Sequence, residues 1–132
     1  MKKLYLFVLL SLFSITSQAA GQFDGIYMIS INGSVTNYVT LHENANTSQM
    51  IAAIIDPDPD TTWMALSGTR IGNTATFATI AGASAMDISL NIRADFNSNN
   101  PNPTATIISC VDGVNYSCRF PAGTTLNMIK IF

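Results

Sequence analysis

From Met86 to Phe96 the chain changes character at every step. Six apolar residues (Met86, Ile88, Leu90, Ile92, Ala94 and Phe96) alternate with five polar ones (Asp87, Ser89, Asn91, Arg93 and Asp95). Side chains of an extended backbone point to opposite faces in turn, so this run predicts a strand with one oily and one wet face. No stretch of useful length carries the 3.6-residue period of a helix. The chain is therefore built from strands.

The same reading extends to both sides. Gly25 to Ile31 and Tyr38 to His42 are shorter strand candidates, split by the turn-like Asn32-Gly33-Ser34. Met50 to Ile55 is apolar throughout, which fits a strand covered on both faces or a short buried helix; the β-rich neighbourhood favours the strand. Thr62 to Ile80 predicts a hairpin around Gly72-Asn73, a two-residue turn of the type with glycine first. That register pairs Ile71 with Thr74, Thr69 with Thr76, and Gly68 with Phe77, so an aromatic ring covers a cross-strand glycine. It also puts Trp63, Ala65, Ile71 and Ile80 on one face and Met64, Leu66 and Phe77 on the other. Ala81 to Ala85 and the Asn/Pro/Ser segment Asn97 to Pro103 are expected to be loops. Further strands are expected at Thr104 to Val111, Tyr116 to Phe120 and Thr124 to Phe132.

About eight strands with short links make an all-β fold, an antiparallel meander. The preferred form is a small closed barrel whose last strand pairs with its first; the alternative is a β-sandwich. No internal repeat or second domain is visible.

Residues 1–19 have the three parts of a secretory signal. Lys2 and Lys3 form the positive end, Leu4 to Ile15 an apolar run, and Ser17-Gln18-Ala19 the small-residue cleavage site. The run is shorter than the roughly 20 residues of a membrane span. Cleavage after Ala19 would leave one domain over residues 20–132, placed in the periplasm or outside the cell; the short lysine-led signal has a bacterial style. That part carries four positive charges (Arg70, Arg93, Arg119 and Lys130) against eight negative ones, seven Asp and Glu43, a net −4. Without a basic patch, nucleic acid and anionic membranes are poor partners.

Cys110 and Cys118 are the only cysteines, and an oxidising compartment makes a disulfide their default. With His42 as the only imidazole, they lack the further ligands of a structural zinc site. A three-residue turn over Gly113-Val114-Asn115, with Asn115 left-handed, sets Cys110 opposite Cys118 in a hairpin.

Candidate sites are few. Asp56, Asp58 and Asp60 alternate with Pro57 and Pro59, and such carboxylates can hold calcium weakly. An EF-hand loop would want glycine and a carboxylate where Thr61 and Ser67 stand, so a stiff acidic turn is the simpler reading. His42-Glu43 could be half of an acid–base pair, but no nucleophile, metalloprotease or phosphate-loop motif accompanies it. Asn32-Gly33-Ser34, Asn46-Thr47-Ser48 and Asn115-Tyr116-Ser117 match the glycosylation triplet, with plain turn asparagines as the simpler reading. Tyr27, Tyr38, Trp63 and Phe77 could line a ligand cavity, or could simply be core.

Phe23-Asp24-Gly25-Ile26-Tyr27 resembles the F-x-G-x-W opening of lipocalin-type barrels over those five residues, with Tyr27 in place of the tryptophan. The resemblance implies a closed antiparallel barrel with a central pocket for a small apolar ligand. Three roles are consistent with these observations. The first is a non-enzymatic exported domain, without cofactor, that binds a small ligand or a protein. The second is a small outer-membrane barrel ending on Phe132. The third is an adhesive subunit associating through the apolar strand Met50 to Ile55.

Overall fold

The computed structural model describes residues 21–132 apart from 58–61 and 98. Eight strands follow one another in order: β1 (Gly25–Ile31), β2 (Ser34–Asn44), β3 (Gln49–Ile55), β4 (Trp63–Ile71), β5 (Thr74–Ser84), β6 (Ser89–Asn97), β7 (Asn100–Val111) and β8 (Thr125–Lys130). Each pairs antiparallel with its sequence neighbour, and β8 returns to β1, so the sheet closes into a barrel. The seam aligns Tyr27 with Lys130 and Ser30 with Asn127.

Local chemistry sets the register. Asn32 and Gly33 both have positive φ (51° and 82°), the pair of left-handed residues that a two-residue hairpin between β1 and β2 needs. Gly72, at φ 60°, opens the β4–β5 turn. The predicted pairs of Ile71 with Thr74, Thr69 with Thr76, and Gly68 with Phe77 are all present. A Cβ on Gly68 would sit 2.8 Å from the Phe77 ring, so glycine is what lets that ring lie over the neighbouring backbone.

Alternation then fills the interior. Met50, Met64 and Leu66 are each only 1% exposed, and Ala94, Phe96 and Ile107 line the opposite wall. Full burial of one such large side chain stabilises by roughly 2 kcal/mol. Eight strands enclose a space just wide enough for side chains to fill, or for one small ligand.

Four expectations are corrected. β3 is not covered on both faces: Met50 and Ala52 point in, while Ile51 is 56% exposed, because among the described residues no second layer lies outside the barrel. Ala81–Ser84 belong to β5. The register slips between Met64 opposite Ser84 and Leu66 opposite Thr79, so these small residues are absorbed as a bulge.

The prolines of 97–103 do not exclude a strand, since β7 begins at Asn100. Its backbone pairs with β8 only from Thr104 to Thr106, and the Asn102 side chain accepts the Lys130 N–H at 3.0 Å. The missing proline N–H groups therefore cost no bond to β8.

Finally, no strand forms over Tyr116–Phe120. The Asp87 carboxylate accepts the backbone N–H groups of Val114 and Asn115 (both 2.9 Å) and Tyr116 (3.1 Å), which folds this segment into an irregular loop. Asn115 is not left-handed.

Candidate functional site

The two ends of the barrel are closed differently. At the end where β1 begins and β8 finishes, Phe23 plugs the opening and stacks on Phe96, ring centroids 4.4 Å apart. The Arg70 guanidinium lies over the Phe23 ring at 5.4 Å. Its Nε donates to the buried Glu43 carboxylate (2.6 Å) and Nη1 to the Gly72 carbonyl (2.6 Å). Asp24 accepts the Glu43 N–H and lies 2.9 Å from His42 Nδ1, while its own carbonyl accepts from Lys130 Nζ at 2.7 Å. Tyr27 donates to the Phe23 carbonyl at 2.7 Å. Burial, with the negative charge of Asp24, raises the Tyr27 phenol from 10.0 to about 12. This is a fully bonded floor. His42 and Glu43 do not form an acid–base pair, because neighbouring strand residues face opposite ways: His42 turns outward to Asp24 and Glu43 inward to Arg70.

The other end carries the disulfide. Cys110 and Cys118 are bonded, with Cα atoms 6.0 Å apart. Cys118 N–H donates to Asp112 Oδ1 at 2.7 Å. Gly113 packs so tightly on Asp87 that a Cβ there would overlap the carboxylate. The Asn115 N–H foremost, with those of Tyr116 and Val114 and the Asn115 amide, holds the Asp87 carboxyl below its ordinary range, against a smaller opposing effect of desolvation. The covalent bond and the Asp87 contacts together lay Ser117, Arg119 and Phe120 across the barrel mouth as a cap.

Beneath the cap lies a chamber of about 120 Å³. Its walls are mostly apolar: the cross-strand neighbours Ile54 and Met64, with Met86, Ile88, Leu90 and Leu126. Thr36, Asn37, Asp56, Ser117 and Arg119 supply the polar lining. Arg119 Nη1 stands 3.9 Å from Asp56 Oδ2. Deeper in the barrel a second space of about 40 Å³ reaches Phe77 and Phe96 and shares Ile29, Ile54, Ile92 and Leu126 with the first. Each space is far smaller than the roughly 300–1,000 Å³ of a drug-sized pocket. The larger, at about 120 Å³, approaches the ~150 Å³ apolar cavity that accommodates benzene.

The four aromatic candidates divide. Tyr27 belongs to the floor and Phe77 lines the deep space. Tyr38 and Trp63 lie outside the barrel, 36% and 44% exposed, in one cross-strand row with Ile55 between them. Of the acidic trio, Asp58 and Asp60 lie outside the described residues; Asp56 lines the chamber mouth. Neither Thr36 nor Arg119 carries a motif. Asp87 was visible only as a wet position in the alternating run. Comparison with protein-family models, with curated proteins and with solved structures finds no match for this chain.

Proposed function

We propose that this chain is an exported, non-enzymatic binding domain that takes a small apolar molecule into the capped chamber. The observation that carries this reading is the chamber itself: an apolar space with its polar groups gathered toward a disulfide-braced cap. Its size limits the guest to a single ring or a short chain. A disulfide suits an oxidising compartment, consistent with a cleaved signal over residues 1–19.

Methyl NMR of methionine-labelled protein tests the binding. Met64 and Met86 line the chamber, whereas Met28 sits on the outward row of β1, beyond the reach of a guest inside. Titration with benzene should move the Met64 and Met86 resonances and leave Met28 still; unchanged spectra would remove the reading. Export is tested separately by N-terminal sequencing of protein recovered from its host, where Ala20 should be first and Met1 would refute cleavage.

A second reading, docking of a protein partner, is favoured by the outer row Ile129–Met28–Tyr38–Ile55–Trp63. It crosses five strands without a charge. Two features speak against a membrane-spanning barrel. The interior is apolar, and the outward face of β6 carries Arg93 beside Asp95. Association through the edge of β3 has no edge to use, since β3 pairs with both β2 and β4.

A further inference from the structure

One polar group in the chamber is unaccounted for. Where β1 meets β2 the register slips: Ile29 stands opposite Asn37 and Ser30 opposite Val35, which leaves Thr36 as the extra residue of a bulge. A bulge re-aims its side chain relative to simple alternation. Thr36 lines the chamber, and its Oγ1 is, among the described residues, the one buried side-chain polar atom without a hydrogen-bond partner. Valine has nearly the same shape and would avoid burying an unsatisfied hydroxyl, which costs free energy. The chain nevertheless places a hydroxyl at this point.

The charged groups constrain what the hydroxyl can meet. Arg119, the cation at the mouth, is 65% exposed and stands beside Asp56, so its charge is opposed there and not available deeper in. A carboxylate guest at Thr36 would leave water without a counter-charge, which is strongly unfavourable. A neutral hydroxyl or carbonyl group carries no such penalty and can accept the Thr36 O–H.

We propose that the chamber selects small, neutral, mainly apolar molecules carrying one hydroxyl or carbonyl group, anchored by a hydrogen bond from Thr36 Oγ1. This rests on the chamber being the binding site, and it adds the class of guest. Benzene and phenol, which differ by one hydroxyl, form the test pair, titrated against the full chain as processed by its host. Thr36→Val should weaken phenol by about five- to tenfold, the worth of one hydrogen bond, and leave benzene unchanged or slightly tighter. Thr36→Ser should keep most of the phenol affinity, since it keeps the hydroxyl. If benzene binds but Thr36→Val weakens neither ligand, or both equally, the proposed anchor is wrong while the chamber stands. If neither ligand binds the unaltered protein, chamber and anchor fall together.

Discussion

Replacing Arg70 with methionine would remove the one charge partner, among the described residues, of a carboxylate that is almost wholly enclosed. The Glu43 side chain is 1% exposed and receives the Arg70 Nε–H at 2.6 Å, whereas the Arg70 side chain is 23% exposed and can recover some hydration if Glu43 is lost. The two single changes should therefore differ. Arg70→Met strands a buried negative charge and should cost about 3–5 kcal/mol. Glu43→Gln keeps an acceptor for Nε and frees a cation that water can reach, so roughly 1–2 kcal/mol is expected.

At roughly 4 °C per kcal/mol for a domain of this size, Arg70→Met should lower the melting temperature by about 12–20 °C. The double replacement Glu43→Leu/Arg70→Met fills the space with apolar groups and should return to within about 1 kcal/mol of the parent. Urea unfolding followed by circular dichroism gives all three values. An Arg70→Met cost below that of Glu43→Gln, or a double variant no better than Arg70→Met, would refute the view that desolvation of Glu43 dominates this end of the barrel.

Three further outcomes follow from the remaining observations. Removing the disulfide with Cys110→Ser/Cys118→Ser releases a nine-residue loop and should cost about 2.5 kcal/mol in urea unfolding; an unchanged midpoint would mean the Asp87 contacts hold the cap alone. Because the Asp87 carboxyl is held below its ordinary value, its grip on the cap is complete above the usual carboxylate range. That grip should be lost as pH falls through the lowered value, seen as faster hydrogen exchange at the Val114 and Asn115 amides. Tyr27, raised to about 12, favours the folded state fully below pH 10 and progressively less as pH climbs toward 12; an ultraviolet titration should show a tyrosine ionising near that value, lost in Tyr27→Phe.

The strands were readable where one face is oily and the other wet, because alternation is a local signal. The Gly72-Asn73 hairpin and the Ser89 to Phe96 part of the alternating run required nothing beyond their own residues, whereas Met86 to Ile88 keep the alternation but precede β6. The same hairpin register had already set Trp63 and Phe77 on opposite faces, so parity alone argued against their sharing a cavity. What escaped the sequence were features decided by distant residues. Arg70 meets Glu43 across 27 positions, and Asp87 captures amides 27 to 29 positions away, overriding the hairpin that Gly113-Val114-Asn115 suggested. Thr36 owes its place in the chamber to a slip in strand pairing, which no composition or period records. The prolines of 101 and 103 looked forbidding because the substitute bond from Asn102 could not be foreseen.

The seam between β1 and β8 also decides how this molecule would respond to being pulled. Both ends of the described chain emerge from the Phe23 end, where Phe132 accepts the Ile26 N–H at 3.1 Å, and the ladder then runs inward from Tyr27–Lys130 to Ser30–Asn127. Force applied to the two ends would load these rungs one after another, as in a zipper, and never all at once. A barrel with no exposed edge at rest would thus open at low force along a single line and become a flat sheet with two raw borders.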